Sequence, residues 1–199
     1  MEKETARIEA FSDGVFAIAI TLLILEVKVP GPSADLRLQL LKQWPSFVAF
    51  IISFAFIGIM WINHHRLFTH IRRSNNTLMI LNLLLLLGVS VVPYPTAVLA
   101  QHLGQPDQRT AAILYNGTYV VIAIFFNVLW GYAKHAHLLP REDDHATARK
   151  ITRQYAVGPI SYLICLLLSW LSVPLSLFAN FALAMFYALP PHYAVRRTD

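Results

Sequence analysis

The sequence predicts an all-α integral membrane protein with six transmembrane helices per chain, and three observations carry that prediction. Hydrophobic residues make up 56% of the 199-residue chain and charged residues only 14%, where soluble domains carry about a quarter charged. The apolar residues gather into runs of bilayer-crossing length, for which roughly 18 to 20 residues suffice. The basic residues also fall very unequally on the two sides of those runs.

The predicted spans cover roughly residues 8–27, 44–61, 77–100, 111–133, 155–171 and 175–189. The first is read as a mature span and not a signal peptide, because it has no small-residue cleavage site and runs straight into Glu26, Lys28 and Pro30. The last two come from an apolar stretch too long for one crossing, which Ser172, Val173 and Pro174 divide into a tight hairpin. Of the sixteen lysines and arginines, twelve lie on one side: Lys3, Arg7, Arg66, Arg72, Arg73, Lys134, Arg141, Arg149, Lys150, Arg153, Arg196 and Arg197. Only Lys28, Arg37, Lys42 and Arg109 lie on the other. The positive-inside rule therefore places both termini in the cytoplasm and requires an even number of spans. The charged segment 141–150 is expected as a solvated helix between the fourth and fifth spans. The whole chain, 1–199, reads as one membrane domain without internal repeats.

The first span poses the functional question, because Asp13 sits inside it and a charge in lipid is costly. On a wheel of about 100° per residue with Ile18 at zero, Arg7, Phe11, Gly14, Leu22 and Leu25 fall within about 40° and Thr21 near −60°. Asp13 falls near −140°, away from that face. At its level, the second span ends in Trp61, Asn63, His64, His65 and Arg66, and the third carries Asn82. Arg7, Ser12, Asp13, His64, His65 and Asn82 are thus expected to form a polar network, with Asp13 acting mainly as a structural clamp. Glu26, about 80° from Ile18 at the far end, either enriches cations at the mouth or pairs with Lys28.

The pattern Arg7-x-x-x-Phe11-Ser12-Asp13 resembles the signature of the transmembrane protein 175 family, which comprises the endolysosomal potassium channel of animals and its prokaryotic relatives. The resemblance continues through Trp61-Ile62-Asn63-His64-His65-Arg66, through Asn82-Leu83, and to Pro93-Tyr94-Pro95, where relatives often carry Pro-Phe. It implies a potassium-selective channel of the cell membrane. A chain with a single six-span unit would then assemble as a homotetramer, a cyclic oligomer with the first helix lining a central pore. It also implies that Ile18, five positions after the motif aspartate, forms the constriction, that Leu22 and Leu25 add apolar layers, and that Thr21 sits at a hydroxyl layer linked to selectivity. The Thr-Val-Gly-Tyr-Gly carbonyl filter is absent, so potassium preference needs another device.

Bland readings compete with these. An Ile/Leu stripe is usually a packing or lipid face. The His64–His65 pair points in two directions and lacks companions at ligand spacing, so no metal or cofactor is expected and potassium is only the permeant ion. His135 and His137 read as solvated loop residues. The sequons at Asn75 and Asn116 are discounted, one lying on the cytoplasmic side and one inside a span. No nucleophile–base pair or phosphate loop appears, so the protein is not expected to be an enzyme. The rival function is a proton-coupled secondary transporter using Asp13 and histidine.

Overall fold

The computed structural model describes residues 5–32, 35–139 and 145–188. The described residues form eight helices and one 3₁₀ turn: α1 (Ala6–Leu22), the 3₁₀ turn (Leu23–Glu26), α2 (Leu36–Lys42), α3 (Trp44–His70), α4 (Asn76–Val91), α5 (Pro93–His102), α6 (Gln108–His135), α7 (His145–Leu171) and α8 (Val173–Ala188). Four stretches are long and apolar enough to cross a membrane: Ala6–Glu26, Trp44–His70, Asn76–His102 and Gln108–His135. Tyr155–Leu171 and Val173–Met185 are shorter apolar helices.

Several boundaries differ from the sequence reading. The third stretch is two helices, because Pro93 cannot donate the amide that would continue α4, and Val92 N–H turns back to Val89 O at 3.1 Å. The helix α3 runs nine residues beyond Trp61, through the polar Asn63-His64-His65-Arg66 segment to His70. Residues 145–150 are not a separate linker helix but the opening turns of α7. Arg141, Glu142, Asp143 and Asp144, together with Lys3, Arg196 and Arg197, lie outside the described residues. The short α2 was missed; Asp35 caps it by accepting from Leu38 N–H at 2.9 Å.

The chain reverses at Ser172. Ser176 Oγ donates to Cys165 O at 2.8 Å, although eleven residues of straight helix would set them about 16 Å apart. α6 packs along α7 and against α4 and α5, while α3 packs against α1, α5 and α8. Its aromatic centre is Phe56 on α3, Tyr119 on α6 and Tyr162 on α7, with ring centroids 4.8 to 5.7 Å apart. Polar side chains in this core bond to one another in clusters. Ser53 Oγ meets Thr96 Oγ1 at 2.8 Å and Tyr115 OH at 3.0 Å. Asn116 Nδ2 reaches Ser169 and Ser176, which ties the α7–α8 reversal to α6. That buried role, and the Asn75 side chain capping α4 through Leu78 N–H, occupy both discounted sequons.

Pro159 sits inside α7 and leaves the carbonyl of Tyr155 without its helical donor. Asn127 on α6 supplies the replacement: its Nδ2 donates to Tyr155 O at 2.9 Å and to Ala123 O at 2.8 Å. Tyr155 OH in turn donates to Asn63 O on α3 at 2.9 Å, so three helices meet one turn before Pro159. Asn127→Ala should therefore destabilise the folded protein by about 1–3 kcal/mol, the cost of an orphaned buried acceptor. Adding Pro159→Ala, which restores a backbone donor, should recover part of that loss. Thermal melting of both variants in detergent checks this; equal destabilisation with and without the proline would refute the pairing.

Candidate functional site

The motif residues meet where α1, α3 and α4 converge. Ser12 lies on the buried side of α1 and donates to Ile8 O at 2.8 Å, so its oxygen is free to accept. Asn82 Nδ2 donates to that oxygen at 3.0 Å. His64 Nε2 lies 2.9 Å from Asn82 Oδ1. The donors then run in one direction, His64 to Asn82 to Ser12 to Ile8 O, which needs the His64 proton on Nε2. His64 Nδ1 is buried with no partner. The ring is packed between Phe68, 4.5 Å away and stacked, and Phe16, 5.4 Å away and tilted.

Three of the six residues expected in this network are joined to one another: Ser12, His64 and Asn82. The other three stand apart. Asp13 is exposed and accepts from Trp61 Nε1 at 2.9 Å, not from either histidine. His65 and Arg7 are both exposed. The reason is helical geometry: adjacent residues diverge by about 100°, so Asp13 cannot follow Ser12 inward, nor His65 follow His64. Trp61 was not foreseen as the partner of Asp13, though its indole N–H is a donor at the same level.

The opposite side of α1 is uncovered. Phe11, Ile18, Leu22 and Leu25 are 58%, 62%, 41% and 71% exposed, and Arg7, Gly14 and Thr21 are exposed beside them. Phe16, Ala19 and Leu23 are buried, and Ile20 is partly buried against the core. Thr21 Oγ1 donates back to Ala17 O and Ile18 O, both at 2.9 Å, which leaves its oxygen lone pairs outward. From Leu23 the winding tightens to three residues per turn, so Leu25 stands almost directly over Leu22 instead of near −20°. The same tightening turns Glu26 toward the packed side, where it is half-buried, and not toward the Ile18 face. Among the described residues, no three His, Cys, Asp or Glu side chains gather as metal ligands.

Fold and site together define an all-helical membrane protein whose first helix is locked by buried polar bonds on one side and left open on the other. The chain belongs to the TMEM175 family. The family described as endosomal/lysosomal potassium channel TMEM175 matches residues 7–93. A potassium channel of Chamaesiphon minutus is 49% identical over 193 residues, covering 94% of this chain and 95% of that one. A potassium channel of Streptomyces collinus is 44% identical over 189 residues, covering 92% and 91%. The human endosomal/lysosomal proton channel TMEM175 is 35% identical over 135 residues, which cover 62% of this chain and 27% of the human one. The crystal structure of the lysosomal potassium-selective channel TMEM175 homolog from Chamaesiphon minutus superposes with a TM-score of 0.85 at 47% identity, covering 93% of this chain and 96% of that one.

Replacing Asn82 with leucine removes both central hydrogen bonds and strands the buried His64 Nε2–H. Asn82→Leu should cost about 1–3 kcal/mol, while Asp13→Asn, which keeps an acceptor oxygen for Trp61, should cost much less. Thermal melting of the two proteins decides the order, and a larger loss for Asp13→Asn would return Asp13 to the centre of the clamp.

Proposed function

We propose that this chain is a potassium channel of the cell membrane that works as a homotetramer, with α1 of each chain facing a common axis. The observation that carries the reading is the uncovered half of α1. Apolar exposure alone would suit lipid, but the charged Arg7 shares that half, and charges in contact with lipid are strongly disfavoured. A face that mixes Ile18, Leu22 and Leu25 with Arg7 and Thr21 suits other chains and a water-filled path. A single helix cannot enclose a pore, so several copies must surround one axis; four is the number the family resemblance implies.

In this arrangement Ile18 forms the narrowest ring. Its side chain offers an ion no ligands, so a narrow ring sheds water and imposes a dehydration barrier. Leu22 and Leu25, stacked by the 3₁₀ turn, extend the apolar section. Thr21 presents hydroxyl lone pairs beside it, able to accept from an ion's hydration water. The six-span reading counts the four long stretches plus α7 from Tyr155 and α8. With the basic asymmetry of the loops, it sets both termini in the cytoplasm and makes the whole chain one channel domain that binds no cofactor. Reporter fusions at Asp199 and at Gly104 should accordingly report opposite sides; the same side would break the topology.

The assay is ion flux in liposomes carrying the purified protein, with reversal potentials measured under potassium, sodium and proton gradients. Ile18→Asn replaces the apolar barrier with amide dipoles, so currents should rise and discrimination between potassium and sodium should fall. Ile20→Asn, on the packed side, should reduce folded yield and leave selectivity alone. The reverse pattern would put the pore on the wrong side of α1. A proton gradient driving saturable uptake, without a channel-like reversal potential, would favour the transporter instead. The animal relatives are named proton channels, which makes proton the second ion to test.

A further inference from the structure

A crevice of about 50 Å³ opens between α3, α6 and α7 beside Pro159. It lies on the packed side of α3, away from the α1 face. Along the helix axes its lining grades from polar to mostly aliphatic, with the rings of Phe126 and Tyr162 completing the walls. Asn63, Asn127 and Tyr155 line one end. One turn away, toward the N-terminal end of α3 and α6 and the C-terminal end of α7, the walls are Ile59, Met60, Ile122, Ala123 and Gly158. The antiparallel run of α7 along both partners makes these levels coincide: Tyr155 meets Asn63 and Asn127, while Tyr162 meets Phe56.

Two polar groups at the first end are unspent. Asn127 uses both amide hydrogens on Ala123 O and Tyr155 O, and its Oδ1 has no partner among the described residues. The side-chain amide of Asn63 makes no hydrogen bond among the described residues; only its backbone carbonyl is engaged, by Tyr155. The volume exceeds what a single water needs, roughly 10–15 Å³. Water filling the whole space would also have to wet the aliphatic end, where apolar cavities stay dry.

We propose that this crevice binds a short-chain aliphatic alcohol or a like-sized amphiphile. The hydroxyl donates to Asn127 Oδ1 or Asn63 Oδ1 and accepts from Asn63 Nδ2, and the alkyl part lies between Met60 and Ile122. Gly158 makes the room: a Cβ there would point at Ala123 Cβ, 4.0 Å away, and narrow the space. The bound molecule would brace α7 where Pro159 removes a helical hydrogen bond.

The test uses the purified full chain in lipid nanodiscs and a diazirine-bearing short alkanol, with labelled positions mapped by mass spectrometry. Adducts are expected on the α3 segment around Met60 and the α7 segment around Tyr155, and 1-propanol in excess should suppress them. Asn63→Leu removes a polar anchor and should weaken labelling about fivefold, the equivalent of one hydrogen bond. Ala123→Leu fills the space and should abolish it. If Ala123→Leu fails to fold, Asn63→Leu carries the test, since it leaves the backbone carbonyl used by Tyr155 in place. Labelling spread evenly over the lipid-facing helices, or labelling at the crevice that neither 1-propanol nor Asn63→Leu reduces, would overturn the proposal. So would a crevice that holds ordered water only and takes no label.

Discussion

Inside a bilayer a polar side chain has no water to fall back on, so each one that is buried must find its partner within the protein. At Asn82 that constraint joins α1 to α3. Its amide nitrogen holds Ser12 of α1 and its amide oxygen holds His64 of α3, at 3.0 and 2.9 Å. Rotating α1 by one residue, about 100°, would turn Ser12 away and strand both groups. The bond therefore fixes which face of α1 is packed, and by exclusion which face is not. Phe16, Ala19 and Leu23 are buried because Ser12 is, and Ile18 is uncovered for the same reason.

The same constraint explains how the bundle tolerates prolines in its helices. A proline removes one amide donor and leaves a carbonyl to be satisfied elsewhere. At Pro159 the replacement donor is a side chain on another helix, Asn127, so the gap left by the proline becomes a tie between α6 and α7. At Pro93 the remedy is local: Val92 N–H turns to Val89 O, and Thr96 Oγ1 adds a bond to Val92 O at 2.8 Å. One device makes a tertiary contact and the other a joint between α4 and α5.

Helix class, the reversal near Pro174 and the exposed stripe of α1 were legible in the sequence because each rests on a pattern along one helix or on a single breaker residue. Apolar runs announce spans, and a wheel sorts Ile18 from Asp13 without any neighbour in view. The partner of Asp13 was not legible. Level along the membrane allowed His64, His65 and Trp61 alike, and the choice of Trp61 depends on how α3 is rotated against α1, a tertiary quantity. Glu26 failed for a different reason. A wheel of constant pitch carries it to the edge of the Ile18 face, but the chain tightens to 3₁₀ at Leu23 and turns it toward the core. Nor could the sequence tell that Asn127 answers Pro159, since the pair is 32 residues apart and on different helices.

An isoleucine ring, if four α1 helices form one, cannot choose between cations by coordination, because it has no oxygen to offer. It can act only through how much water an ion must give up to pass. The larger potassium ion holds its hydration shell less tightly than sodium, so a narrow dry ring costs potassium less. Hydroxyl oxygens just beyond the ring would lower the cost further by receiving a partly dehydrated ion, and Thr21 has its lone pairs free because its proton is spent on the backbone. Selectivity of this kind is a matter of width and dryness, not of a fitted cage. Both would then follow the rotation of α1, and therefore the hydrogen bonds of Asn82 on the far side of the same helix.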